Sequence, residues 1–297
     1  MTSSAEPMAD DAGRMTGGAR SATGGGRLGL VRDEAALYLL LVRAAFRSAA
    51  QYRVSLVMYT LVEMAGAALD LATIGIIFAH LPDLDGFALS EVAFLYGSSA
   101  LPFALAEALV GPLDQLGWQI KDGRMDATLT RPVSVLVQSA TMDFSAQRLG
   151  RLAQPTAVFA VSLAALPVDW SPGRVAILPM MVLCGTVISI SLAVGVAAVL
   201  FVAPDASVAI AAVRQGSALA TQYPLTIYGR RMAMLLTFVF PVAFVNWQPA
   251  LFILGRPDPF GLPGFTGFLS PLVALASCLA AGIAWSAGIR HYRGEGG

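Results

Sequence analysis

The chain has 297 residues, of which 56% are hydrophobic and only 13% are charged, and its mean hydropathy is +0.68. A soluble protein has about 25% charged residues, so this composition excludes an ordinary cytosolic enzyme and a disordered chain. The formal net charge is zero, which leaves no overall positive field to attract nucleic acid. Long apolar runs predict an all-α integral membrane protein.

The first part of the chain lacks an apolar run of the kind that a signal peptide contains. We therefore expect residues 1–30 to be a disordered cytoplasmic tail. Residues 37–51 then place apolar side chains on one broad helical face, with Arg43 and Arg47 elsewhere. This pattern predicts an N-terminal amphipathic helix in the headgroup region of the membrane. The alternative is a cytosolic helix packed on the rest of the protein.

Residues 31–297 are expected to form one transmembrane domain with six helical spans. A helix needs about 20 apolar residues to cross the hydrocarbon core of a bilayer. Five apolar runs approach or exceed this length, whereas the third contains charged residues and is cleanly apolar for only part of its length. The predicted spans are 54–79, 92–113, 148–166, 175–203, 232–249 and 272–288.

The positions of the basic residues favour six spans with both termini in the cytoplasm. In this topology, all of the 19 lysine and arginine residues except Arg174 and Arg256 lie on the cytoplasmic side, as the positive-inside rule requires. Without the third span, Arg214, Arg230 and Arg231 would lie outside. Because the composition is rich in arginine, alanine and glycine, as in GC-rich bacteria, we expect a bacterial cytoplasmic (inner) membrane.

Three acidic residues lie inside the predicted spans: Glu63 and Asp70 in the first, and Glu107 in the second. A charge at the centre of a membrane costs about 2.5–3.5 kcal/mol. Glu63 and Asp70 are seven residues apart and share one helix face, which should point into the protein. One interpretation places all three on a substrate path, and the alternative is that they make hydrogen-bonded packing contacts.

The connection between spans 5 and 6, residues 250–271, is rich in proline and glycine. Irregular backbone at membrane depth must be buried in protein or line a cavity. We therefore expect a re-entrant external segment there, with a surface loop as the alternative. Elsewhere, the histidines and cysteines show no spacing typical of a metal site.

The chain contains one lysine, Lys121, which follows Gln119 and Ile120 rather than a glycine-rich run. A Walker A phosphate-binding loop requires a lysine directly after such a run. We therefore expect no cofactor in this chain. If ATP drives its function, ATP and Mg must be bound by another polypeptide.

The segment after the second predicted span, residues 121–132, resembles the cytoplasmic signature of ABC-2 type transporter permeases. These are short six-span exporter subunits without their own ATPase domain. Their pattern Gly-x-x-Asp-x-x-Leu-x-Arg-Pro is present here as Gly123, Asp126, Leu129, Arg131 and Pro132. Residues 222–255 and 288–292 are similar to the same family, and the resemblance covers roughly residues 35–293.

The resemblance implies that two permease subunits, identical or related, pair in the lipid membrane above two copies of an ABC ATPase subunit. It also implies that a cytoplasmic coupling helix between spans 2 and 3 sits in a groove of the ATPase. The residues that would couple to the ATPase are Lys121, Asp122, Gly123, Arg124, Asp126 and Arg131. A solvated charged loop is the alternative for this segment.

Two functions are therefore open at this stage. The resemblance implies an exporter subunit that moves an unidentified small or amphiphilic substrate and is driven by a separate ATPase. The alternative is an ion-coupled secondary transporter, in which Glu63, Asp70 or Glu107 binds a proton or cation and no ATPase is needed.

Overall fold

The computed structural model describes residues 53–130, 134–141 and 147–292, and the regular elements in these ranges are helical. The predicted tail at 1–30, the predicted amphipathic helix at 37–51 and Arg131 lie outside the described residues. The side chain of Asp70 also lies outside the described part of the chain.

Four long α-helices and the shorter α7 overlap five of the predicted spans, with ends that differ by up to six residues, and shorter elements fill the connections. In chain order the α-helices are α1 (Arg53–His80), α2 (Leu89–Val110), α3 (Leu116–Lys121), α4 (Arg124–Leu129), α5 (Val135–Thr141), α6 (Gln147–Gly150), α7 (Ala153–Ala165), α8 (Pro172–Ala197), α9 (Ser207–Thr221), α10 (Gly229–Met234), α11 (Trp247–Leu254) and α12 (Ser270–His291). The 3₁₀ turns are Gly111–Gln115, Ala198–Phe201, Pro204–Ala206, Leu225–Tyr228, Pro241–Phe244 and Gly264–Leu269, and a π turn covers Leu235–Val239.

Three helical stretches of the described residues are long and apolar enough to cross a membrane: Leu89–Lys121, Pro172–Phe201 and Gly264–His291. Helix α7 is apolar but shorter. These helices support a multi-pass all-α membrane protein. The count of six spans stays a prediction.

Helix α2 lies at the centre of the bundle, and several of its neighbours run antiparallel to it. Gly97 near its start packs against Phe159 of α7, whereas Glu107 near its end contacts Arg151 just before α7. A side chain on Gly97 would meet the Phe159 backbone at 2.8 Å, so glycine permits this close approach. Helix α9 is also antiparallel to α2. Arg214 in the middle of α9 contacts Glu107 near the end of α2, whereas Thr221 at the end of α9 contacts Ser99, which lies earlier in α2.

Helices α8 and α12 run parallel to each other. Gly195 lies against Ala281, and three residues later Ala198 lies against Gly288. A side chain on Gly288 would meet the Ala198 carbonyl oxygen at 2.6 Å. The two helices therefore approach closely near their C-terminal ends, at the end of the bundle where α2 also ends. We call this the coupling end.

The predicted fifth span, 232–249, differs from the structure. It is divided among α10, the π turn, the 3₁₀ turn at Pro241–Phe244 and the start of α11. Pro241 has no backbone N–H and therefore cannot continue a helix from the preceding turn. Two separate helices, α9 and α11, lie beside α2 and run antiparallel to it. Residues 222–245 connect the end of α9 to the start of α11.

In the described part of the chain, the apolar residues form two buried clusters. The larger cluster lies around α2, α8 and α11 and includes Phe94, Ile177 and Trp247. The second cluster lies where α2, α8 and α12 end, and it joins Leu116 and Met125 to the ends of α8 and α12. The segment that follows α2 is therefore fixed to the bundle by apolar packing.

Candidate functional site

The segment between α2 and α5, which we call the coupling segment (residues 111–130), consists of short helices separated by turns. Pro112 lies in the first turn of its 3₁₀ helix, where the missing N–H costs no helical hydrogen bond. Between α3 and α4, Gly123 has a φ of 68°, in the left-handed region that glycine adopts without strain. The sequence therefore places a sharp turn in the middle of the segment.

The coupling segment has one buried apolar face and one exposed face. Leu116, Ile120 and Met125 are buried in the second apolar cluster. On the other side Trp118 is 63% exposed, and its ring lies 5.5 Å from the Lys121 ammonium group. An exposed tryptophan among charged residues was not among the sequence-predicted coupling residues, although its position on this short helix was a usable signal.

The predicted coupling residues fall into two groups. Lys121 pairs with Asp205 at 2.6 Å, and Asp126 accepts a hydrogen bond from Tyr292 at 2.9 Å. These contacts tie the coupling segment to residues that follow α8 and α12. Asp122 and Arg124 are exposed.

A cluster of ion pairs lies beside the coupling segment. Its central residue is Glu107, whose Oε1 accepts a hydrogen bond from Arg151 at 2.6 Å and whose Oε2 accepts one from Arg214 at 3.3 Å. Each carboxylate oxygen therefore serves a different arginine, one just before α7 and one in α9. The three side chains are partly buried, and Arg214 is the least exposed of them.

The two arginines each reach a second carboxylate. Arg151 Nε lies 3.0 Å from Glu63 Oε1 in α1. Arg214 Nη2 donates to Asp114 Oδ2 at 2.5 Å, and Asp114 lies in the 3₁₀ turn that leads into α3. The five residues form a continuous chain of ion pairs from α1 to the coupling segment.

A third arginine, Arg148, lies with its guanidinium group against Gly111, which the Glu107 side chain also contacts. Its Nη1 is buried without a hydrogen-bond partner in the structure. We call the six residues Glu63, Glu107, Asp114, Arg148, Arg151 and Arg214 the charge cluster. It balances three carboxylates against three guanidinium groups, which is the condition under which charges are tolerated away from water.

The sequence identified the acidic members Glu63 and Glu107 but not the arginines that pair with them. Arg148 and Arg151 lie in the third predicted span, where a charge needs a partner, so pairing with the acids of other spans could have been predicted. Asp114 directly follows the second predicted span. Only the fold brings these groups together, because Glu107 lies 44 residues from Arg151 and 107 residues from Arg214.

At the opposite end of α2, a second arginine pairs with a carboxylate. Arg256 donates from Nε and Nη2 to the two oxygens of Glu91 at 2.9 and 2.7 Å. Arg256 also donates to the Gly86 carbonyl oxygen and lies 4.3 Å from the Phe87 ring. The hydrogen bonds that Arg256 donates to the Glu91 carboxylate raise the pKa of Arg256 above its ordinary value, so its charge persists at every physiological pH.

The connection between α11 and α12 turns back on itself at this end. Gln248 in α11 donates to Asp258 and accepts a hydrogen bond from Thr266, so the two sides of the connection are joined by one amide. Gly267 packs against the Gln248 backbone. The prediction of a re-entrant external segment stays a prediction, since the structure contains no membrane.

An apolar groove of about 590 Å³ lies between α8 and α12 and is bounded by residues 238–242. Leu192, Val196 and Ala280 are among the residues that line it. Neither Glu63 nor Glu107 contributes to this lining. Glu63 and Glu107 are therefore separate from this groove.

Comparison with protein families found one match to the chain. A family model described as ABC-2 family transporter protein matches residues 64–296. The match includes the whole coupling segment and every member of the charge cluster except Glu63. Comparisons with curated proteins and with solved structures found no match.

Proposed function

The chain belongs to the ABC-2 transporter family, a family of membrane transport subunits, and we propose that it is the permease subunit of an ABC exporter. Two copies of a separate ATPase subunit would bind ATP and Mg and drive it. A second permease, identical or related, would complete the complex in a bacterial inner membrane, with both termini cytoplasmic. The substrate would be small or amphiphilic.

The observation that supports this proposal most directly is the shape of the coupling segment. It projects short helices whose inner face is anchored in the second apolar cluster and whose outer face exposes Trp118, Asp122 and Arg124. A force applied to the outer face would reach α8 and α12 through packed side chains. We infer that this face binds the ATPase, with Lys121, Gly123 and Asp126 holding its conformation.

The charge cluster favours the exporter over an ion-coupled secondary transporter. A carboxylate that binds a transported proton or cation must be able to exchange it. Glu63 and Glu107 each lie within 3.0 Å of an arginine nitrogen, and the cluster is electrically balanced. The proposal that Glu63, Asp70 and Glu107 line a substrate path is therefore less well supported than a role in positioning helices for Glu63 and Glu107.

The proposal is tested by affinity purification of the tagged chain from its native membrane in mild detergent, followed by mass spectrometry. A stoichiometric companion with a Walker A sequence is the expected result. A chain that purifies alone and still transports in liposomes without ATP would contradict the proposal and favour the ion-coupled alternative.

A pair of variants tests the binding face itself. Arg124→Glu reverses an exposed charge on α4 and should reduce the amount of ATPase that is recovered. Asp169→Lys reverses an exposed charge just before α8, at the opposite end of the bundle, and should leave recovery unchanged. Equal recovery with Arg124→Glu and Asp169→Lys would contradict the assignment of this face.

A further inference from the structure

We propose that the charge cluster is a branch of the coupling mechanism that moves α1 with the coupling segment, separately from the apolar contacts that move α8 and α12. This inference rests on the proposed function, since it assigns a route for motion that the ATPase would start. Glu63, Arg151 and Glu107 are its positioning residues.

Helix α1 has few buried side chains among those that the structure describes. Among the α1 side chains that the structure describes, Ile74 is the one that is buried, at 1% exposure. Val54, Leu61 and Leu69 in the same helix are more than half exposed. The ion pair from Glu63 to Arg151 joins the first part of α1 to the residues just before α7 and, through Arg151, to Glu107.

A rigid connection runs from the coupling segment to Glu107. Helix α2 ends at Val110 and continues directly into the 3₁₀ turn Gly111–Gln115 and then into α3. Leu113 and Leu116 in this stretch are fully buried. A displacement of α3 must therefore move the end of α2, and with it the carboxylate of Glu107.

Arg151 provides the link between Glu107 and α1. Arg151 contacts Glu107 through Nη1 and Glu63 through Nε. A guanidinium group is planar and holds its nitrogen atoms in a fixed arrangement, so the two carboxylates cannot move independently without breaking one contact. Leaving one of these charges unpaired in a partly buried site is unfavourable, and α1 therefore follows Glu107.

The second route runs through apolar contacts and contains no member of the charge cluster. Leu116, Ile120 and Met125 pack with Leu200, Phe201 and Trp285. This route joins the coupling segment to the ends of α8 and α12. The two routes make opposite predictions for a variant that breaks the ion pairs alone.

The test uses the full permease in complex with its co-purified ATPase, with Cys184 and Cys278 replaced by alanine. Spin labels are placed at exposed positions: Ala127→Cys in the coupling segment, Ala79→Cys at the far end of α1, and Leu272→Cys at the far end of α12. Electron–electron distances for the pairs 127–79 and 127–272 are measured without nucleotide and after trapping with ADP and vanadate.

In the otherwise unchanged complex both distance distributions should shift on trapping. Glu63→Leu, which removes the carboxylate without adding a charge, should abolish the 127–79 shift and retain the 127–272 shift. Met64→Leu is the matched control, because it alters the adjacent, exposed α1 position without touching the charge cluster. It should retain both shifts.

Two outcomes would overturn the inference alone. A retained 127–79 shift in Glu63→Leu would show that α1 moves without the ion pairs. Loss of both shifts in Glu63→Leu would show that Glu63 supports the whole fold rather than the position of one helix. If no ATPase co-purifies, the proposed function fails and this inference fails with it. This result differs from the two outcomes above, in which the ATPase is recovered and only the distance shifts change.

Discussion

The two ends of α2 each join an arginine to a carboxylate, but with different geometry. At one end Arg256 contacts Glu91 through two parallel hydrogen bonds, so one arginine satisfies both carboxylate oxygens. At the other end the two oxygens of Glu107 bind Arg151 and Arg214 separately. The first arrangement is a closed pair, and the second is a bridge.

This difference changes how many elements each carboxylate fixes. The closed pair joins α2 to the segment after α11, and its fork geometry makes that one contact specific. The bridge makes the positions of α2, α9 and the segment before α7 depend on one another, and Arg151 extends this dependence to α1. The closed pair fixes one end of α2 against one neighbouring segment. The bridge at Glu107 transmits a displacement of α2 to the helices that its arginines contact.

The strongest test of the comparison exchanges the charges at each end. Exchange of Glu91 and Arg256 (Glu91→Arg with Arg256→Glu) should recover part of the stability that either single reversal loses, because the exchanged charges attract each other again. The exchange Glu107→Arg with Arg214→Glu should yield no folded protein, since it places Arg against Arg151 and Glu against Asp114. Size-exclusion chromatography of the solubilised variants measures both results.

If the exchange at Glu107 and Arg214 were tolerated, Glu107 would not act as a bridge. The single reversals Glu91→Arg and Arg256→Glu are the controls for the exchange at the other end.

A smaller effect is expected when the charge is removed without reversal. Glu107→Gln leaves two arginines without a full counter-charge. Removing one partner of a fully buried pair costs about 3–5 kcal/mol of folding free energy, and the loss here should be smaller because the pair is only partly buried. Glu91→Gln leaves one arginine, which keeps its hydrogen bond to Gly86, and should cost less. Thermal unfolding in detergent, followed by tryptophan fluorescence, compares the two, and equal shifts would contradict the distinction.

An uncharged hydrogen-bonded contact between the two ends of α2 should give an intermediate loss of stability. Asn246 is 0% exposed and donates hydrogen bonds to the carbonyl oxygens of Leu95 and Thr221, both at 3.0 Å. Asn246→Ala should cost about 1–3 kcal/mol, because it leaves buried carbonyl groups without partners. The same unfolding assay applies, with Gln115→Ala as an exposed control. A loss as large as that of Glu107→Gln would show that charge is not what distinguishes the cluster.

The smallest effect on stability is expected at the surface of the coupling segment. Lys121 pairs with Asp205, whose side chain is 93% exposed, and exposed pairs contribute little because water screens them. Lys121→Gln should leave the unfolding temperature unchanged and reduce ATPase recovery in the affinity purification. A large drop in unfolding temperature would show that the Lys121–Asp205 pair stabilises the whole fold rather than only the conformation of the coupling segment.

Two local features show what backbone preference can and cannot determine. Gly123 has a positive φ between α3 and α4, and local backbone preference is sufficient for such a turn. The run 232–249 has enough apolar residues for a span, but Pro241 and the contacts of Asn246 divide it. Hydropathy depends only on the residues along the chain, and it does not show which neighbouring helices pack against the pieces of an interrupted helix.

Burial of the tryptophans shows the same limit. Trp118 and Trp285 both lie near the coupling end of the protein, and their sequence positions at helix ends do not distinguish them. Trp285 is buried beside Phe201, with ring centroids 5.0 Å apart, whereas Trp118 is exposed. Only the packing of α8 against α12 decides which ring is covered.

The sequence by itself determined that this chain is an all-helical membrane protein and where most of its long helices lie, because the free energy of placing a helix in lipid is summed over consecutive residues. Its motifs also indicated the family. The tertiary structure decided how the in-span charges are compensated. Glu63, Glu107 and Asp114 meet arginines that are distant in the sequence, and the energy of an ion pair depends on separation in space, which the linear sequence does not contain.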